Sequence, residues 1–203
     1  MRPADGHLAR SNPFSTRYTR PGAIEYLFAD GQSAGALARK LIELEQPAQI
    51  VGPHGTGKST LLASLVQPLK ELDCRPCVFS IHDGARCLPD DWVSEARRSA
   101  ACLIVVDGYE QLSRWSRFWL TLRCRQYGWR LLVTAHRDVG FVTLFRTTAS
   151  LPVVQAVVDH LLPGDGTLIT SATVADSFSA SGGNVRETLF ALYDQYERQH
   201  AGR

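Results

Sequence analysis

Two kinds of hydrophobic pattern alternate along the chain. Short, nearly unbroken apolar runs stand at residues 48–51, 76–82, 102–107, 129–135 and 141–145. Runs of that length, bounded by polar residues, predict strands buried on both faces. Between them apolar residues recur at helical spacing. Residues 34–44 form one such stretch, with Leu37, Leu41 and Ile42 facing inward, and Leu61, Leu62, Leu65 and Leu69 mark a second. Pro89-Asp90-Asp91 reads as a helix start. Residues 111–127 predict a long helix whose inward stripe is Leu112, Trp115, Phe118, Trp119 and Leu122, and residues 23–27 a short one. Strands alternating with helices imply an α/β fold: a parallel sheet joined by right-handed crossovers, with helices on both faces.

Beyond residues 147–151 the pattern becomes helical only, with stretches at 152–162, 172–180 and 185–199 separated by Pro163-Gly164-Asp165-Gly166 and Ser181-Gly182-Gly183-Asn184. The first twenty residues are rich in Arg, Pro, Ser and Thr without periodicity. The expected organisation is therefore a flexible N-terminal segment over 1–20, an α/β core over 21–148 and a small helical lid over 149–203.

Composition narrows the class. At 44% hydrophobic residues the chain can bury a substantial core, and a net charge of +2 makes no global demand for a nucleic-acid partner. No apolar segment follows Met1-Arg2-Pro3, so the expectation is a cytoplasmic protein without a signal peptide, a membrane span or disulfides. Cys74, Cys77, His82 and Cys87 follow the zinc-knuckle spacing C-x2-C-x4-H-x4-C. An extended strand through Cys77 and His82 would hold them roughly 16 Å apart, which favours ordinary thiols.

The chemistry concentrates after the first strand. Gly52-Pro53-His54-Gly55-Thr56-Gly57-Lys58-Ser59-Thr60 fits G-x-x-x-x-G-K-[ST] between a strand and a helix, the P-loop context. Such a turn aims backbone N–H groups and a helix dipole at one anion. Lys58 is placed to reach β- and γ-phosphates, and the Ser59 hydroxyl to join the shell of a Mg²⁺ ion. Asp107, ending the 102–107 strand, is the second candidate metal ligand. Gly108 follows it where strongly hydrolytic relatives of this motif carry Glu, so Glu110 is read either as the catalytic base or as a cap on the next helix. Thr134 and His136 end the neighbouring strand, within reach of a γ-phosphate or a lytic water. Gly183-Asn184-Val185-Arg186-Glu187 opens the last helix, with Asn184 as N-cap and Arg186 in the first turn, placed to sense the nucleotide from the lid.

Two further matches fail. His136-Arg137-Asp138 lacks the downstream Asn of the kinase catalytic loop, and Ser181-Gly182-Gly183 lies after Asp107 rather than before it, unlike the transporter-ATPase signature. Arg114, Arg117 and Arg125 flank the 111–127 stripe, a basic face that is either simply solvated or meets nucleic acid or an acidic partner.

Taken in order, Gly52 to Thr60, Asp107, Thr134/His136 and the phrase around Arg186 resemble the Walker A, Walker B, sensor 1 and sensor 2 motifs of AAA+-type ATPases. The resemblance implies a 5-1-4-3-2 sheet, ATP with Mg²⁺, a helical lid and assembly with further copies or a protein partner. It also implies an adenine pocket fed by residues 14–22 and an arginine finger, for which Arg137 and Arg146 are candidates by position. The function expected is an ATP-dependent conformational switch with slow hydrolysis. The alternatives are a P-loop small-molecule or nucleotide kinase and a non-hydrolysing ATP-gated adaptor.

Overall fold

The computed structural model describes residues 12–28, 31–82, 84–162 and 169–201. Five parallel strands, β1 (Ala48–Val51), β2 (Pro76–Ser80), β3 (Leu103–Asp107), β4 (Arg130–Ala135) and β5 (Val142–Arg146), form one sheet in the order β2-β3-β4-β1-β5. This is the expected 5-1-4-3-2 arrangement. β1, which leads into the glycine-rich loop, lies between β4 and β5. β4 in turn pairs with β3, so the strand ends carrying Gly52, His136 and Asp107 converge at one edge.

Alternation along β3 shows why its sequence is apolar throughout. Leu103 and Val105 enter the core on one side with α2 (Ala34–Glu43) and α3 (Lys58–Glu71). Ile104 and Val106 enter the core on the other side with α4 (Trp92–Arg98) and α5 (Arg114–Tyr127). A strand covered on both faces has no solvent-facing positions left for polar residues. The two faces also separate Cys74 from Cys77. Cys74 lies in the first core with its Sγ 2.8 Å from that of Cys102, and Cys77 lies in the second. Burial pushes the Cys74 and Cys124 thiols up to about 12.

A third apolar cluster belongs to α6 (Leu151–Leu161), α7 (Ser171–Ala180) and α8 (Val185–Ala201), built on Val154, Val158, Val174, Leu192 and Tyr196. Phe14 joins it, edge-on to Tyr196 at 6.1 Å, and Asn12 donates to the Tyr193 carbonyl and the Glu197 carboxylate. Residues 12–20, expected to be flexible, are thus pinned to the helical layer through a buried aromatic; residues 1–11 lie outside the described residues. The short helix expected at 23–27 is displaced to α1 (Thr16–Thr19), and residues 23–28 run without helix. Among the described residues no helix is long and apolar enough to cross a membrane.

The orientation of α5 corrects a sequence expectation. Leu120 and Cys124 pack on the sheet, whereas Trp115, Phe118, Trp119 and Leu122 stand outside at 72%, 55%, 49% and 41% exposure. The larger stripe was read as the inward one, but the smaller residues allow the helix to lie close to β4. Arg117 leaves the expected basic face: its guanidinium donates to the Leu112 and Glu110 carbonyls and lies 5.0 Å from the Tyr109 ring centroid.

One polar side chain in the middle of the sheet is fully buried. Gln49 donates to Asp138 Oδ1, the Phe141 carbonyl and Thr143 Oγ1, and accepts from the Val139 N–H. It thereby holds the β4–β5 connection beside the site. Gln49→Leu strands several of these partners. Since a hydrogen bond contributes roughly 0.5–1.5 kcal/mol net, we expect a lower urea midpoint with an unchanged slope, a net loss of about 1–3 kcal/mol.

Candidate functional site

Residues 52–57 turn from β1 into α3, and Gly57 at φ 87° sits in the left-handed region immediately before the helix. A β-carbon there would also meet the Tyr26 ring at 3.1 Å, so backbone conformation and space both select glycine. The loop is braced on two sides. Thr56 Oγ1 shares a 2.6 Å hydrogen bond with Thr147 Oγ1, and a β-carbon on Gly55 would lie 1.8 Å from Asn184 Oδ1. Asn184 therefore rests directly on the loop while its Oδ1 also accepts the Glu187 N–H as the cap of α8. Neither Thr147 nor the Gly55–Asn184 contact was legible in the sequence, because each depends on segments more than ninety residues apart.

Lys58 is 9% exposed and curls back into the loop, donating to the Gly52 and Pro53 carbonyls at 2.7 Å each, with His136 Nδ1 at 3.1 Å. Burial holds its ammonium below the usual lysine range, against the opposing pull of the Glu110 and Asp107 carboxylates. His136 stacks on His54 with ring centroids 3.4 Å apart, and its Nε2 lies 2.6 Å from Glu110 Oε1. An ammonium carries donors only, so Nδ1 accepts from Lys58 and the imidazole proton sits on Nε2, donated to Glu110. Lys58, His136 and Glu110 form one hydrogen-bonded chain across the mouth of the loop. Desolvation first, and then the Lys58 charge, keep His136 below its ordinary range.

Asp107 and Thr134 meet each other across the β3–β4 strand ends. The Thr134 hydroxyl donates to Asp107 Oδ1 at 2.5 Å and accepts the Gly108 N–H at 2.9 Å. Its one donor hydrogen is committed to the carboxylate. His136, rather than Thr134, is the strand-end residue that presents a polar atom toward the loop.

Gly108 explains the missing adjacent glutamate. It has φ 86°, and a β-carbon would lie 2.8 Å from the Ile81 carbonyl and from Gln111 Nε2. The carboxylate comes instead from Glu110, in the single 3-10 turn Tyr109–Gln111. Of its two sequence readings, the capping one is removed: Ser113 caps α5 by accepting from the Ser116 N–H at 3.1 Å. Glu110 Oε2 is buried and has no hydrogen-bond partner among the described residues.

These groups open on one cavity of about 490 Å³. The loop residues His54 to Thr60, Asp107, Glu110, Thr134 and His136 line one end. Pro21, Ile24, Val157, Leu189 and Phe190 give the remainder an apolar wall, edged by Thr19, Arg20 and Arg186 of α8. Of the stretch expected to feed a base pocket, Thr16, Thr19, Arg20 and Pro21 reach the cavity, but Phe14 is committed to the cluster of α6, α7 and α8. Arg146 pairs with Asp138 at 3.4 Å. Ser59 and Asp107 supply a hydroxyl and a carboxylate to the same space, a hard oxygen set that fits Mg²⁺, which takes few protein ligands beside phosphate and water.

No protein-family model matches the chain, and no curated protein matches it. Among solved structures it is similar to a replication initiator DnaA bound to AMPPCP and single-stranded DNA, at TM-score 0.55 and 16% identity over 85% of this chain and 63% of that one. It is also similar to AMPPCP-bound DnaA from Aquifex aeolicus, at 0.52 and 15% over 78% and 57%. A structure described as a DNA replication initiation factor aligns at 0.51 and 16% over 83% and 62%. The chain thus spans about three-fifths of the length of these proteins. At such identities the likeness is one of fold, and the fold is the AAA+ P-loop α/β arrangement.

Two outcomes follow from this geometry. Because the folded His136 binds its proton less tightly than an unfolded imidazole, its contribution to stability is complete above about pH 6.5 and is lost as pH falls through the lowered value. Thermal melts of the nucleotide-free protein should fall between about pH 7.5 and pH 5.5, and His136→Gln should flatten that slope. Gly108→Glu, which puts a side chain against the Ile81 carbonyl at a left-handed position, should lower stability, as read by melting.

Proposed function

We propose that this chain is an ATP-binding, AAA+-like switch that hydrolyses ATP slowly with Mg²⁺. The observation that carries the reading is the convergence of the glycine-rich loop, Asp107, Glu110, His136 and the lid residue Arg186 on one cavity. The similar solved structures that hold AMPPCP support the same reading.

Entering phosphates would take the place of the Gly52 and Pro53 carbonyls as partners of Lys58. This exchange favours binding, because an under-solvated ammonium gains a full anionic charge in place of two carbonyl dipoles. The backbone N–H groups of residues 55–60 and the α3 dipole hold the remaining oxygens. Ser59 and Asp107 would hold Mg²⁺, which when bound supplies charge neutralisation to the phosphates. The exposed base and ribose find the apolar end of the cavity, between the 19–21 segment and α6–α8. Because that wall is built from the lid, an occupied cavity fixes the lid against the core, and Arg186 adds a charge contact to the nucleotide.

Glu110 is the general base in this reading. Its Oε1 is tied to His136 and its buried Oε2 has no partner among the described residues, so a water placed by the phosphate would complete it. As Lys58 leaves Nδ1, His136 is freed to rotate or to accept a proton, which couples phosphate arrival to the base. The tie between Glu110 and His136 also favours a second reading, an ATP-gated adaptor in which that pair never opens and turnover stays at background.

Lys58→Ala should weaken ATP binding at least about tenfold, measured by calorimetry. Glu110→Gln should retain binding and reduce phosphate release by about 10²–10⁴-fold. Wild-type turnover at background would favour the adaptor, and ATP binding unchanged in Lys58→Ala would remove both readings.

A further inference from the structure

We propose that the outward face of α5 is a docking surface for an acidic amphipathic helix of a partner protein. Trp115, Phe118, Trp119 and Leu122 occupy i, i+3, i+4 and i+7, the spacing that lets one helix pack its ridge into the groove of another. Four large apolar side chains exposed together form a contiguous patch rather than scattered surface residues. Their composition, two Trp and a Phe bordered by Arg, is that of the residues which dominate protein–protein binding energy.

Charge selects the occupant. α5 carries Arg114, Arg117, Arg123 and Arg125 and no acidic residue. With Arg117 turned inward, Arg114, Arg123 and Arg125 remain to border the stripe. A second copy meeting through the same face would set arginines against arginines, which disfavours a symmetric pair. A segment with apolar residues at helical spacing and flanking Asp or Glu satisfies both the stripe and its border.

Ring geometry separates this occupant from a nucleic-acid strand. Trp115 meets Phe118 edge-to-face at 6.1 Å and 88°, and Phe118 meets Trp119 at 5.8 Å and 74°. The Arg123 guanidinium lies 5.8 Å from the Trp119 ring centroid. Rings crossed in this way form a knobbed ridge, not the row of free parallel faces on which successive bases stack. The surface is also mechanically close to the nucleotide site. Arg117, on the first turn of the same helix, donates to the carbonyl of Glu110 at 2.6 Å.

The test uses the full chain and a synthetic helical peptide with Leu at heptad a and d positions and Glu elsewhere. The matching Lys peptide, a deoxythymidine oligonucleotide and phosphatidylglycerol-containing vesicles serve as the other arms. We expect the Glu peptide to shift tryptophan emission to the blue and to bind at least about tenfold more tightly than the Lys peptide. Trp115→Ser/Trp119→Ser and, separately, Arg114→Glu/Arg123→Glu should each lose about tenfold or more with melting temperature preserved. Leu122→Ala provides a milder variant, and hydrogen exchange should show peptide protection confined to α5. Equal binding of the two peptides, binding unmoved by the face variants, or capture of the oligonucleotide or vesicles by this face in place of the Glu peptide would overturn the proposal.

Discussion

The site depends on a partly desolvated lysine. Lys58 is carried into the glycine-rich loop by the start of α3, and burial there disfavours its charge. The loop supplies only carbonyl dipoles to compensate, and the nearest carboxylates, Glu110 and Asp107, act through space rather than by contact. An ammonium in that position is poised for an anion, and the surrounding N–H groups favour the same charge. The rest of the molecule arranges what the anion meets. β4 beside β1 brings His136, β3 beside β4 brings Asp107, and the third layer brings Arg186 and closes Asn184 onto Gly55.

The relocated carboxylate shows how backbone conformation redirects chemistry. A left-handed residue after Asp107, crowded by the Ile81 carbonyl, leaves no room for a side chain. Two residues on, the 3-10 turn swings Glu110 back toward β4, where His136 receives it. The carboxylate thus reaches the cavity from a different backbone position, and it is held by an imidazole whose other nitrogen faces Lys58. Lys58, His136 and Glu110, from three separate segments, are joined by hydrogen bonds across the mouth of the loop.

The N-terminal stretch and lid form a second structural unit around the same cavity. Asn12 and Phe14 are anchored in α8 and its cluster, while the Tyr26 N–H donates to Ser64 Oγ on α3. The intervening residues Thr19 to Pro21 line the cavity between these anchors. A ligand filling the apolar end would therefore touch core, strap and lid together, which is how occupancy can become relative motion.

The sequence alone determined the alternation of strands and helices, because strands covered on both faces read as nearly continuous apolar runs, and with it the sheet order implied by the motif resemblance. It also singled out Lys58, Ser59, Asp107, Glu110, His136 and Arg186 from local pattern, and these residues line one cavity. Only tertiary structure decided what those residues face. The bond from Thr134 to Asp107, the meeting of Glu110 with His136, and the bracing of the loop by Thr147 and Asn184 all require elements far apart in the chain to meet. α5 shows the limit most directly. Helical periodicity reveals that Trp115, Phe118, Trp119 and Leu122 share a face, but a period carries no information about what covers it. That depends on the close approach of Leu120 and Cys124 to the sheet, which is a property of packing.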